Sequence, residues 1–305
     1  MKKARHAPLV MLLMCLLVAT AACGPREQAS ASGGFSPSKL GTVERDVTYG
    51  NASGVSLKMD IYYPRKASGP APVAVYVHGG AWTTGDKSWV TGALDINELL
   101  DRGYMICAID YRLAPRYKFP AQIEDVKCAI RFLRANASTY GLDPARIGAW
   151  GDSAGGHLAA LLGLADSRAG LEGSGGYADQ SSRVQAVVDM YGPTDLTALT
   201  GEPELLEPVF GASGLQSEML SRASPVTYVS GDAPPFLIIH GEMDDIVPPA
   251  QSALLYDRLV SAGVPARLVM VNSCGHILMP VGAATAPSRA EVATMVADFF
   301  DTYLR

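Results

Sequence analysis

The sequence predicts an α/β fold, a mostly parallel sheet covered on both faces by helices. Three observations carry that expectation. Strand-like apolar runs alternate with helix-like stretches along most of the chain. The run from Pro72 to Val77 is apolar at every position, as a strand buried on both faces requires. A glycine-flanked serine, Gly151-Asp152-Ser153-Ala154-Gly155, lies between a short apolar strand and an Ala- and Leu-rich helix. The composition agrees: 305 residues, 48% hydrophobic and 18% charged, fit one large domain with a short appendage and exclude wholesale disorder.

At the N-terminus, Lys2, Lys3 and Arg5 precede an uncharged stretch from Ala7 to Cys23. Its apolar heart, Leu9 to Val18, is shorter than the ~20 residues of a spanning helix. A basic start, a short apolar middle and small residues at the end describe an export signal over residues 1–22. Thr20-Ala21-Ala22-Cys23-Gly24 resembles a bacterial lipoprotein processing site. The resemblance implies cleavage before Cys23, a lipid on its thiol, and anchoring to a membrane of the cell envelope. An ordinary signal cleavage, giving a secreted or periplasmic protein, is the alternative. From Gly24 to Leu40 the chain is rich in Ser, Gly, Ala and Pro, so residues 23–42 read as a flexible tether.

The folded part is expected over residues 43–305. Val55 to Tyr62 alternates as a half-buried strand does. The buried run Pro72 to Val77 leads into His78-Gly79-Gly80. A helix is expected at Asp95 to Arg102 and a strand at Tyr104 to Ile109. Pro120 opens a helix whose apolar residues Ile123, Val126, Ala129, Ile130 and Leu133 share one face. Arg146 to Trp150 reads as a short strand stopped by Gly151, and Ala154 to Leu164 as a helix. Strands at Val184 to Met190, Pro235 to Ile239 and Arg267 to Val271, with helices at Gln251 to Ala262 and Arg289 to Leu304, complete the series. Ser167 to Arg183 is glycine- and serine-rich and reads as a mobile loop. Asp195 to Asp232 is too long for an ordinary connection and reads as a lid.

Glycines two before and two after Ser153 would let a sharp strand-to-helix turn push its hydroxyl out above the sheet. A serine hydroxyl needs a base within hydrogen-bond reach. His276, in a loop after the last strand, can be carried over Ser153. His157 follows the serine on its helix and reads as structural, while His78 and His240 each end a strand and brace a loop. The imidazole in turn needs a carboxylate. Asp244 and Asp245 both follow the penultimate strand, and their spacing from His276 does not choose between them. The small residues of His78-Gly79-Gly80-Ala81-Trp82, with the Ala154 amide, are candidate oxyanion donors. Trp82, Tyr191, Phe210 and Leu278 are candidates for a modest apolar pocket.

Together these residues resemble the α/β-hydrolase superfamily, in its hormone-sensitive-lipase-like branch, and most nearly the bacterial carboxylesterase and feruloyl-esterase-like (BD-FAE-like) group. Leu57-Lys58-Met59-Asp60-Ile61-Tyr62, Asp110 to Pro115, Phe119-Pro120-Ala121 and Asp143 to Ile147 carry the likeness further. The resemblance implies a serine carboxylesterase with Ser153 as nucleophile, His276 as base and, through its His-x-x-x-Asp-x-x-Val-Pro pattern, Asp244 as acid. It maps the oxyanion loop to Gly79, Gly80 and Ala81, with Ala81 where many relatives have a third glycine. It implies no metal and no organic cofactor. The expected partner is a small-molecule or polysaccharide-linked ester, with short-chain or aromatic acyl groups. Rival readings are a peptidase or arylformamidase on the same sheet, or a surface lipoprotein that binds ligands without catalysis.

Charge and cysteine content narrow the field. Net charge is −5, and loss of Lys2, Lys3 and Arg5 with the leader makes the remainder more acidic. No basic stripe for nucleic acid appears. Five cysteines form neither a disulfide framework nor a zinc pattern; Cys107, Cys128 and Cys274 are expected to pack in apolar surroundings.

Overall fold

The computed structural model describes residues 39, 41–199, 203–211 and 217–305. The signal, Cys23 and most of the tether lie outside the described residues. Eight strands form one sheet in the order β1-β2-β4-β3-β5-β6-β7-β8. They are β1 (Val43–Ala52), β2 (Val55–Tyr62), β3 (Ala71–Val77), β4 (Met105–Ile109), β5 (Leu142–Asp152), β6 (Ala186–Met190), β7 (Phe236–Gly241) and β8 (Ala266–Val271). β2 runs antiparallel to both its neighbours, and every pair from β4 to β8 is parallel.

Two short helices, α1 (Val90–Ala93) and α2 (Asn97–Asp101), connect β3 to β4, and α3 (Ala121–Ala135) with the single turn α4 (Ala137–Tyr140) connects β4 to β5. Then come α5 (Ala154–Leu164), α6 (Pro203–Phe210), α7 (Glu218–Ala223), α8 (Ala250–Ser261) and α9 (Arg289–Leu304). The all-apolar strands are explained by two cores. On β3, Val73, Val75 and Val77 face a layer with Ile123, Leu158 and Leu255 of α3, α5 and α8. Ala74 and Tyr76 between them face a layer with Leu99 of α2 and Val296 and Phe300 of α9. Alternation thus survives, but both faces are dry. At Gly148 of β5 the second layer comes so close that a Cβ would lie 2.6 Å from the Phe300 ring.

Several expectations need correction. β1 has no counterpart in the sequence reading, because its alternation is broken by two register shifts against β2. β5 begins earlier than Arg146 and passes through Gly151 to Asp152, since Gly151 still pairs with Val77 and Asp189. The helix expected over Asp95 to Arg102 is the single turn α2, started by Asp95 accepting from the Asn97 amide. Ser167 to Arg183 is not loosely held. Its Glu172 accepts from buried Lys127 at 2.7 Å and from Arg131 at 2.8 Å, and Leu171 is fully buried. Cys107, Cys128 and Cys274 are buried free thiols.

The loop after β4 is fixed by a buried ion pair. Arg112 grips both oxygens of Asp125 on α3, at 2.8 Å each, and its backbone amide adds a third bond at 2.9 Å. The same loop takes the Trp82 carbonyl through the Ala114 amide, so the pair indirectly fixes the turn after β3. Removing one member strands a buried charge. Asp125→Ala is expected to lower unfolding free energy by ~3–5 kcal/mol, read from urea denaturation at neutral pH.

Candidate active site

Ser153 occupies the turn between β5 and α5 with φ 54° and ψ −119°, a conformation that costs a non-glycine residue ~1–3 kcal/mol. Its neighbours show why two glycines flank it. A Cβ on Gly151 would lie 2.3 Å from the Gly155 carbonyl oxygen, and one on Gly155 would lie 2.0 Å from the Val77 oxygen. The turn is anchored by the Ser153 amide donating to the Met190 carbonyl at 2.9 Å.

The structure brings the three distant residues into one row. Ser153 Oγ lies 3.0 Å from His276 Nε2, and His276 Nδ1 donates to Asp244 Oδ2 at 2.7 Å. Asp245 and Glu242 are exposed on the same loop, so geometry singles out Asp244 where spacing did not. Asp244 Oδ1 accepts from the amides of Ile246 and Val247, both at 2.9 Å. Burial alone would raise the Asp244 pKa, but donation from His240 and His276 and from the Val247 amide outweighs it. The carboxyl is held well below the usual range.

The other histidines have separate tasks. His240, fully buried, shares its Nε2 proton between the Val247 carbonyl at 2.9 Å and Asp244 Oδ2 at 3.2 Å, so it braces the loop of the acid. His157 donates Nε2–H to the Ala223 carbonyl at 2.8 Å and accepts from Trp82 Nε1 at 3.2 Å; burial pushes it down to about 4. His78 donates Nδ1–H to the Gly79 carbonyl and stacks on Tyr111 at 4.2 Å.

In the turn after β3, Gly80, Ala81 and Trp82 all have positive φ, at 106°, 51° and 59°. Among the described residues, no protein acceptor takes the Gly80 or Ala81 amide. The Ala154 amide opens α5, where helix geometry leaves it without an intrahelical partner. The Gly79 backbone lies against Asp152, where a Cβ would sit 2.6 Å from Oδ2. Of the pocket candidates, Trp82 and Phe210 pack edge to face at 5.1 Å, and Tyr191 lies edge-on to His276 at 5.0 Å. Leu278 is buried in the same layer as Tyr191. Within the expected lid, α6 docks through Phe210 on Phe119 and α7 through the Ala223 carbonyl on His157. Residues 200–202 and 212–216 of that segment lie outside the described residues. The sequence reading missed Asp152, Tyr76 and Ser252, which pack behind this site; only the place of Asp152 beside the serine signalled any of them.

The sequence profile of the BD-FAE family matches residues 59–259. The chain belongs to the BD-FAE family. It is 38% identical over 223 residues to a protein of Mycobacterium tuberculosis named probable carboxylic ester hydrolase LipM, covering 70% of this chain and 51% of that one. Against LipM and the two next curated relatives, both M. tuberculosis esterases, the chain spans only 51–61% of their length. Among solved structures, a truncated carbohydrate esterase from gut microbiota superposes with a TM-score of 0.74 at 28% identity, covering 89% of this chain and 99% of that one. Esterase Est2 of Thermogutta terrifontis gives 0.70 at 27% identity, with coverage of 87% and 92%, and is also known bound to propionate and to butyrate. The sheet and its two helical layers are therefore the α/β-hydrolase fold of an esterase group.

The depressed Asp244 fixes the sign of a pH effect. A carboxyl whose folded pKa lies below its unfolded 3.8 adds stability above that value and loses it as pH falls further. Asp244→Asn is expected to be less stable than wild type at pH ~7, with the gap narrowing below pH ~4, read as paired denaturation curves at the two ends.

Proposed function

We propose that the protein hydrolyses carboxylic esters with Ser153 as nucleophile, His276 as general base and Asp244 as the acid that orients it. The observation that carries this reading is the unbroken row from Ser153 Oγ through His276 to Asp244, at 3.0 and 2.7 Å. His276 Nδ1 bears the proton given to Asp244, so Nε2 offers a lone pair to the serine hydroxyl. As Oγ attacks the ester carbonyl, Nε2 takes its proton. The oxygen then gathers negative charge, which the amides of Gly80, Ala81 and Ala154 meet. One such donor lowers the barrier by ~3–4 kcal/mol. The imidazolium returns its proton to the leaving alcohol, and a water repeats the sequence on the acyl-enzyme. Asp244 stays ionised throughout and stabilises the imidazolium.

The substrate reading is an ester of a short acyl group. The propionate and butyrate complexes of Est2 support it, as do the rings of Trp82 and Phe210 packed beside the turn after β3. The carbohydrate esterase neighbour supports an acylated sugar as the alcohol side. Fluorophosphonate is expected to label Ser153, and Ser153→Ala to abolish both labelling and turnover. Asp244→Asn is expected to lower kcat by roughly 10³–10⁴, whereas Asp245→Asn leaves it near wild type. On a p-nitrophenyl series, acetate to butyrate should exceed decanoate. Preferred cleavage of peptide or formamide bonds would overturn the ester assignment, and an unlabelled, folded protein would favour a binding role.

We infer in addition that Cys23 carries a lipid that holds the domain at a membrane of the cell envelope. The reading rests on the leader and on Thr20-Ala21-Ala22-Cys23. Cys23→Ser is expected to move the protein from the membrane fraction to the soluble one. A variant that still sediments with membranes sinks this assignment.

A further inference from the structure

A second carboxylate stands behind the site with no task in the chemistry just derived. Asp152, the last residue of β5, is 7% exposed, and among the described residues no Lys or Arg pairs with it. Its partners come from one direction. Tyr76 on β3 donates its hydroxyl to Oδ1 at 2.7 Å. The Gly79 backbone presses on the other oxygen, so closely that a Cβ there would lie 2.6 Å from Oδ2 and 2.9 Å from the Asp152 carbonyl.

The position of these contacts matters. The ladder between β3 and β5 ends at Val77 and Gly151. Beyond it the chain makes two turns, residues 78–82 with no strand pairing and the Ser153 turn, which follows directly on the pairing of Asp152 with Met190 of β6. The first of them holds three successive residues at positive φ, two of them not glycine. Such a backbone persists only where its surroundings over-determine it. Asp152 is one tie across the gap, beside the Trp82–His157 bond, reaching the turn directly at Gly79 and its root at Tyr76.

We propose that Asp152 is a positioning residue for the oxyanion hole: by accepting from Tyr76 and packing against the Gly79 backbone it holds the amides of Gly80 and Ala81 at a fixed distance from Ser153. This rests on the ester-hydrolase reading and adds to it a division of labour within the turn. The Gly79 backbone packs against the carboxylate, and the two amides that follow serve the substrate oxygen. An apolar residue at 152 would leave the Tyr76 hydroxyl without its acceptor and remove the carboxylate packed against Gly79, leaving the turn free to shift. A sub-ångström shift is enough, since donors act on an oxyanion only at ~2.7–3.1 Å.

The test compares full-length wild type with Asp152→Ala, Asp152→Asn and Tyr76→Phe on p-nitrophenyl acetate, with folding checked by thermal melting. It also measures inhibition by an alkyl trifluoromethyl ketone, whose serine adduct carries the oxyanion. Asp152→Ala is expected to lower kcat about 10²-fold with KM changed less than about threefold, and to weaken the ketone by the same factor as kcat. Tyr76→Phe should lose about tenfold, and Asp152→Asn, which keeps one acceptor oxygen, should fall between the two. A folded Asp152→Ala enzyme with kcat within about twofold of wild type overturns the proposal. So does a loss carried by KM with ketone affinity unchanged. If Asp152→Ala does not fold, Tyr76→Phe decides by the same criteria. Wild-type protein that turns over no ester and takes no fluorophosphonate fails differently: it removes the hydrolase reading and this inference with it.

Discussion

The site depends on how closely α5 approaches β3. Where β5 turns into α5, the Gly155 Cα sits so near the Val77 carbonyl that even a methyl group would overlap it, and Gly151 is pressed against Gly155 in the same way. This contact forces Ser153 into a left-handed conformation and turns its side chain away from the packed layers. It also sets the ends of β3 and β5 side by side, so the turn bearing the candidate oxyanion donors and the turn bearing the serine share one edge of the sheet. A larger residue at either glycine would move every other part of the site. The strain at Ser153 is offset by packing on both faces of β5, where Ala149 and Trp150 are wholly buried in opposite layers.

Around that contact, Asp244 and His240 are each held by several polar groups. Asp244 receives two backbone amides on one oxygen and two histidines on the other. His240 is itself held by Ser252 at 2.6 Å. A carboxylate satisfied on all sides keeps its charge despite burial, and its bond to Nδ1 fixes how the His276 ring is turned. The charged residues away from the site follow another logic. Arg112 with Asp125, and Lys127 with Glu172, pin loops to α3, and through Ala114 and Trp82 the first pair reaches the edge of the site.

Much of this was legible in the sequence because it is local. The periodicity of α3 and α9 and the apolar runs of β3 and β4 are properties of adjacent residues, and those elements lie where they were expected. The alternation of β1 was hidden by its bulges, and the reach of β5 through Gly151 was hidden because glycine reads as a stop. The tie of Ser167 to Arg183 to α3 was invisible for a different reason: Glu172 meets Lys127 and Arg131 more than forty positions away.

By itself the sequence determined the layered α/β architecture, the glycine-relieved turn at Ser153 and the small-residue turn after β3. Each rests on sterics or hydrophobic periodicity within a few residues. Only the tertiary structure showed His276 and Asp244, the pair that the family pattern implies, in one row with Ser153. His78, His157, His240 and His276 all lie near strand ends or the elbow helix, and Asp244 and Asp245 are neighbours. What separates them is the direction each loop gives its side chain, set by contacts such as the Gly275 amide on the Met279 carbonyl and Arg289 on the Ile277 carbonyl. The first of these is a turn within the loop itself, while Arg289 reaches Ile277 from the start of α9, twelve positions away, a contact that adjacent residues do not encode.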